Sequence, residues 1–466
     1  MEMIYNFWNI IMLLFGVSII GWYFVLAIIS IYDLTIYLRK NRFDDGAILS
    51  SQFSPSVCLI APAYNEEKNI VDSIKSLLSL RYNNLDLIIV NDGSKDQSLK
   101  KMISAFDLEI SMEKFVNILT TKKIRGIYRS KNEALKRLIV IDKENGGKSD
   151  ALNAGLNFSN AEYVACLDVD SIVENDAILK MIKPFLEDSG VIASGGVVRI
   201  ANACEIEDGR LIDPRFPKSW LPRFQVLEYL RAFLLSRLAW SRFNGLMLIS
   251  GAFGMFKRDI VVKSGGYNTN TVGEDFEMVV RMRTYMHAKN LRYKVVYIPD
   301  PLCWTEAPSD LKILGRQRRR WTRGMMETLK THKSLFMNPR YKILGMLSFP
   351  FWVIFEWFAP IIEVTGFITF IIFLLLNMVD LQLFLLIMMA IYLFAVLNSC
   401  LALFAEEISF HKYIRKKDTL IVLLTALLEP IFYHPLNIYW SIRGNLDFLT
   451  GASGWGEMTR KGFSKK

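Results

Sequence analysis

From Met3 to Tyr32 the chain carries no charged residue. Such a run exceeds the roughly 20 residues that cross a hydrocarbon core, and it is too long for the apolar part of a signal peptide. No small-residue cleavage site follows it. Arg39, Lys40 and Arg42 come directly after, so the positive-inside rule places the amino terminus outside and the next segment in the cytoplasm.

Apolar residues return near the other end, in Leu347–Asn377, Leu381–Phe404 and Thr419–Trp440. The basic loop His411–Lys417 separates the second from the third and should be cytoplasmic. Counting crossings sends the carboxy terminus outside, although the tail carries Arg460, Lys461, Lys465 and Lys466. The alternative is that the last stretch, interrupted by Pro430 and Pro435, dips in and returns. Glu356 and Glu363 lie seven apart, hence on one helical face. Acids at that depth are costly and mark either a polar path or a headgroup-level or protein-protein contact.

These segments bracket a charged, mixed centre from about Lys40 to Lys342, in a chain that is 52% hydrophobic. The expected organisation is a transmembrane helix at 1–38, a cytoplasmic catalytic domain at 50–300, interfacial helices at 301–345, a membrane region at 346–445 and a basic tail at 446–466. A net charge of +10 suits an anionic membrane surface or phosphorylated substrates, and no nucleic-acid-binding motif is present. Five scattered cysteines and four dispersed histidines form no zinc-type spacing and fit a reduced compartment.

Within the centre, the apolar run Ser56–Ala61 ends in Pro62–Ala63–Tyr64–Asn65–Glu66–Glu67, a helix-like segment reaches Leu80, and Leu85–Val90 ends in Asn91–Asp92–Gly93–Ser94. This is a βαβ pattern, in which ligands bind at the carboxyl ends of the strands. Leu138–Ile141 leads to Glu144–Asn145–Gly146–Gly147–Lys148–Ser149–Asp150, and Tyr163–Leu167 leads to Asp168–Val169–Asp170. Four strand ends thus carry acids or glycines.

A carboxylate at a strand end can hold a hard divalent cation that bridges a diphosphate, and Asp168 and Asp170 suit that chemistry. Asp92 and Asp150 are placed to accept hydrogen bonds from a base and ribose, or else to cap turns. Gly273–Glu274–Asp275 opens the helix-like stretch Phe276–Tyr285, making Asp275 an N-cap or a general base. Gly315–Arg316–Gln317–Arg318–Arg319–Arg320–Trp321 supplies guanidinium groups for a leaving diphosphate and a flat ring for a sugar. Its bland alternative is a basic helix with Arg318 and Arg319 on anionic lipid.

In order and spacing these motifs resemble the processive family 2 inverting glycosyltransferases, the synthases of cellulose, chitin, hyaluronan and poly-β-1,6-N-acetylglucosamine. The resemblance covers roughly Ser56–Trp321. It implies an α/β, GT-A type nucleotide-sugar-binding domain inserted between transmembrane α-helices, with amphipathic interfacial helices from Pro217–Leu246. It implies that Asp92, Asp150, Lys148, Gln317 and Arg320 bind a UDP-sugar donor, that Asp168 and Asp170 hold Mg2+ or Mn2+, and that Asp275 is the base. Trp321, Glu274 and the loop containing Ser250, Gly251 and Phe253 would meet the acceptor, a glycan or a lipid, at the plasma membrane, where an accessory export subunit would be a further partner.

Two departures stand out: Gly-Glu-Asp replaces the Thr-Glu-Asp of cellulose and poly-N-acetylglucosamine enzymes, and the acceptor loop lacks the cysteine of cellulose synthases. Leu211–Leu221 reads as an insertion. Poly-N-acetylglucosamine synthesis from UDP-N-acetylglucosamine is the favoured expectation. A non-processive lipid-acceptor enzyme and a catalytically inactive sugar-nucleotide-binding export component are the rivals.

Overall fold

The computed structural model describes residues 2–40, 54–113, 116–410 and 418–451. Arg42, the basic loop 411–417 and the tail charges lie outside them. Two compact units emerge among the described residues: 2–39, 216–245, 308–410 and 418–451 form one, and 40, 54–113, 116–215 and 246–307 the other.

The second unit is built on twelve strands: β1 (Val57–Ala63), β2 (Leu85–Asp92), β3 (Leu108–Ile110), β4 (Ile124–Ser130), β5 (Leu138–Lys143), β6 (Tyr163–Leu167), β7 (Ile172–Val173), β8 (Val191–Ile200), β9 (Glu205–Glu207), β10 (Arg210–Asp213), β11 (Phe253–Lys257) and β12 (Lys294–Thr305). Ten of them make one sheet in the order β3-β4-β5-β2-β1-β6-β11-β8-β12-β7. The central β5, β2, β1 and β6 are parallel. Burial on both faces explains their nearly unbroken apolar sequences. Register pairs Ala63 with Asn91 and Asp92 with Lys143. The polar residues that end these runs therefore finish side by side along one sheet edge, as the βαβ reading anticipates.

Several elements had no counterpart in the motif-based reading. β8 is buried along its whole length and pairs with β11 and β12. The stretch expected as an insertion contributes β10 of the two-stranded β9-β10 hairpin and the first residues of the helix Trp220–Leu230. The expected 300/301 boundary falls inside β12, and the 445/446 boundary inside the helix His434–Leu449.

Among the described residues of the first unit, the helices Glu2–Lys40 and Leu381–Ser409 are long and apolar enough to cross a membrane; the count rises to four if each of two bent helix pairs is one span. The first pair bends by 40° between Trp357 and Ala359, the second by 44° between Phe432 and His434. A proline opens each second helix, Pro360 and Pro435, where a missing N–H costs nothing. The bend sets aside the expectation that Glu356 and Glu363 share one helical face. Glu356 accepts from Tyr23 Oη at 3.0 Å and Glu363 contacts His434 Nε2 at 2.8 Å. Each acid thus has a partner on a different helix.

The interfacial segment contains a π-helical stretch, Arg231–Arg237, with an identifiable cause. Ser30 Oγ donates to Leu235 O at 3.0 Å and accepts from Ala239 N at 3.0 Å. A hydroxyl from the first helix is thus inserted between a carbonyl and the amide four residues on, which widens the turn.

The helix Leu311–Thr331, rich in arginine, lies alongside His434–Leu449. A Cβ at Gly315 would come 2.6 Å from Trp440 Nε1, one at Gly444 2.8 Å from Arg319 O, and Arg319 pairs with Asp447 at 2.6 Å. Thr419–Phe432 has 14 residues and rises only about 21 Å, short of the roughly 30 Å core. This packing predicts that the chain re-enters and returns, leaving Leu449 on the same side as Leu311–Thr331. A carboxy-terminal fluorescent protein should then glow and an alkaline phosphatase fusion stay silent in a bacterial host. The reverse pattern would restore a full final crossing.

Candidate active site

Lys148 opens the helix Lys148–Phe158 just beyond Gly147, whose φ of +86° makes the sharp entry. Its Nζ lies 2.5 Å from Asp168 Oδ1 and 3.5 Å from Glu274 Oε1, and it donates to Gly251 O at 3.1 Å. Gly251 N in turn donates to Asp275 Oδ2 at 2.8 Å, while Phe276 N donates to Asp275 Oδ1 at 2.8 Å. Three segments, at Asp168, Gly251 and Glu274–Asp275, thereby converge on the ammonium group carried by a fourth. Burial opposes the Lys148 charge, but Asp168, then Glu274 and Asp275, outweigh it and hold the amine above the usual lysine range.

Glu274 and Asp275 both sit in the first turn of the helix Glu274–Ala288, where the macrodipole favours carboxylates. Gly273 occupies the capping position, so Asp275 is not the N-cap. Gly251 is closely approached: a Cβ there would lie 3.1 Å from both Asp275 Oδ2 and Lys148 Nζ, so either side chain would have to give by a few tenths of an ångström. Ser250 is half-buried beside it, but Phe253 is 1% exposed, as the first residue of β11 opposite Leu167. Its ring belongs to the core, which removes it from the surface expected to face an acceptor.

Asp92 and Asp150 come together around a residue that the motifs did not single out, Lys143. This lysine is fully buried, with Nζ 2.5 Å from Asp92 Oδ1 and 2.6 Å from Asp150 Oδ1, and it donates to Glu144 O at 2.6 Å. Asp92 also accepts from Gly146 N at 3.0 Å and Gly147 N at 2.8 Å, and Asp150 from Lys122 N at 3.0 Å. The clue was a lysine that follows the apolar run Leu138–Ile141 and Asp142 within the same buried strand, and a buried lysine needs a carboxylate partner.

Asp168 and Asp170 follow β6 and are both half-buried. Among the described residues no group of three or more His, Cys, Asp or Glu side chains is arranged to hold a metal ion. Two carboxylates, one already facing a cation at 2.5 Å, fit a hard ion that takes its remaining ligands from phosphate and water.

Gln317, Arg320 and Trp321 lie in the other unit, on Leu311–Thr331. Gln317 and Arg320 are half-buried and Trp321 is 43% exposed. The lipid-facing alternative for the two intervening arginines does not hold. Arg318 is buried with Nη2 2.6 Å from Glu228 Oε2, and Arg319 grips Asp447 through two bonds of 2.7 and 2.6 Å. Glu228, Tyr433 and Asp447 were not anticipated, because nothing local marks a distant counter-charge.

The family described as "Glycosyl transferase family group 2" matches residues 163–396, and "Glycosyl transferase family 2" matches residues 58–138. The chain belongs to the family 2 glycosyltransferases. It is similar to the poly-beta-1,6-N-acetyl-D-glucosamine synthase of Staphylococcus aureus, 29% identical over 274 residues, which are 59% of this chain and 55% of that one. To the enzyme of the same name from Staphylococcus epidermidis it is 26% identical over 296 residues, 63% and 60% of the two chains. The match thus spans little more than half the length of these relatives. A mannosyltransferase from Pyrobaculum calidifontis, solved in complex with GDP-Man and Mn2+, aligns with a TM-score of 0.52 and 16% identity over 95% of this chain and 100% of its own. The fold is therefore of the GT-A type.

Two substitutions separate support from chemistry. Lys143→Met leaves two buried carboxylates without their cation and should cost about 3–5 kcal/mol in thermal or denaturant unfolding. Gly251→Ala should leave the unfolding midpoint near that of the parent while displacing Asp275 and Lys148, cutting sugar transfer at least about tenfold. Unchanged transfer would show that the contact yields without consequence.

Proposed function

We propose that this protein is a membrane-bound inverting glycosyltransferase that moves a sugar, N-acetylglucosamine by preference, from its UDP donor to a growing β-linked glycan. The observation that carries this reading is the convergence of Asp168, Lys148, Gly251 and the Glu274–Asp275 pair on one point at the end of the parallel strands. Family membership and the similarity to poly-N-acetylglucosamine synthases support it. The catalytic unit faces the cytoplasm, where sugar nucleotides are made, and the apolar helices carry the product outward.

In this reading Asp92 and Asp150, pre-positioned by Lys143, receive the uridine. A divalent cation on Asp168 and Asp170, manganese or magnesium, would supply charge neutralisation for the diphosphate. Lys148 holds the Asp168 carboxylate in place and adds positive charge beside the leaving group. Asp275, oriented by two backbone N–H groups, takes the proton from the acceptor hydroxyl as its oxygen attacks the anomeric carbon. The bond from that carbon to the diphosphate oxygen breaks, and UDP departs with the charge. By resemblance, Gln317 and Arg320 contact the diphosphate and Trp321 the acceptor sugar.

The test is to give detergent-purified protein manganese and, separately, UDP-N-acetylglucosamine, UDP-glucose and UDP-glucuronic acid, following UDP release and product length together. A long polymer from UDP-N-acetylglucosamine, lost with Asp275→Asn while UDP binding persists, is the expected result. One or two sugars on a lipid would replace the glycan acceptor, and UDP binding without any turnover would overturn the enzymatic reading.

A further inference from the structure

Between Gln317 and Trp321 stands a buried guanidinium with no assigned part in the chemistry. Arg318 Nη2 donates to Glu228 Oε2 at 2.6 Å and to Tyr433 Oη at 3.0 Å, and Tyr433 Oη donates to the same Glu228 oxygen at 2.7 Å. The three groups close a triangle. Tyr433 is fully buried and stacks on Phe224 with ring centroids 5.4 Å apart, so this corner cannot drift. One turn along each partner helix a second ion pair repeats the tie, with Arg231 to Glu429 at 2.9 Å.

The guanidinium carbon of Arg318 lies 4.2 Å from the centroid of the Trp321 ring. Guanidinium planes stack on indole through cation–π attraction, worth most where water is excluded. One face of the indole is thus covered by a cation that hydrogen bonds hold in place, while 43% of the residue remains exposed. A sugar-stacking ring needs that combination, a fixed plane with one free face. Without Arg318 the indole would have rotamers to choose from, and binding would carry the entropy of choosing.

We infer that Arg318 is a positioning residue that acts through Trp321, fixing the indole plane so that its open face forms the acceptor subsite. The inference rests on the reading of Trp321 as an acceptor contact. Lysine cannot replace Arg318, because a point charge would still balance Glu228 but would not present a plane to the ring.

The test is a double-mutant cycle read as the KM for a β-1,6-linked N-acetylglucosamine pentamer, with UDP-N-acetylglucosamine saturating. Arg318→Lys and the charge-balanced pair Arg318→Gln with Glu228→Gln should each raise that KM about tenfold and leave the donor KM unchanged. In a Trp321→Leu background the same changes should add nothing. Equal costs in both backgrounds, or recovery of the parent KM in the charge-balanced pair, would reduce Arg318 to a neutraliser of Glu228 and overturn the inference. If Trp321→Leu alone leaves the pentamer KM unchanged, the acceptor role of Trp321 fails instead.

Discussion

Parallel strands cut to the same register leave their polar ends side by side, and in this chain those ends are mostly acidic. Asp92 ends β2 and Asp168 follows β6, while Asp150 lies on the helix after β5. Carboxylates gathered at a poorly hydrated edge repel one another and cost several kcal/mol each unless matched. Lys143 and Lys148, on either side of the Glu144–Gly147 turn, supply the match, the first to Asp92 and Asp150, the second to Asp168 and Glu274. Asp92 returns the favour by accepting the amides of Gly146 and Gly147, which fixes the turn that spaces the two lysines. Gly93 is part of the same joint, with φ of +68° and no room for a Cβ, which would lie 2.7 Å from Asn145 N. The Asp92–Asp150 cluster and the Asp168–Glu274 cluster are consequently held by one short loop.

The apolar unit meets a different constraint, since hydrocarbon offers no water to complete a hydrogen bond. Its polar groups accordingly answer one another across helices: Tyr23 to Glu356, Arg231 to Ser399 and Glu429, His434 to Glu363. Ser30 satisfies a carbonyl and an amide that the π-helical turn would otherwise leave open. Such pairs contribute more to the choice of partner helix than to net stability, because apolar side chains would pack at least as favourably.

Much of the α/β unit was legible because its central strands are continuous apolar runs that end in chemistry. β6 matches the expected Tyr163–Leu167, and β2 extends the expected run only through Asn91 and Asp92. The acids were legible for the same reason, standing where a run stops. Lys143 was passed over because a lysine at a strand end reads as solvated, and only its depth shows otherwise. β8 and β12 were missed since no motif punctuates them, and Ser194, two glycines and Arg199 interrupt the apolar run of β8 despite its full burial; β11 was missed because its first residue, Phe253, reads as part of a loop. The bend before His434 was half-visible, for Pro430 and Pro435 announce a break without its angle, whereas the bend before Ala359 lay inside a stretch that reads as one apolar run.

Arg318, Arg319 and Arg320 show where reading along a chain gives out. Consecutive residues on a helix point about 100° apart, so three like side chains fan across more than half a turn and meet three environments. The first enters a buried triangle against an aromatic ring, the second clasps an aspartate of the last helix, and the third stays half-buried. Composition suggests a single basic patch for lipid, yet two of these charges are consumed in holding the helix. What makes the difference is the set of distant acids, Glu228 and Asp447, that only the fold brings opposite them. A pattern that names only Gln317, Arg320 and Trp321 therefore omits Arg318 and Arg319, whose ion pairs hold the helix that carries all three.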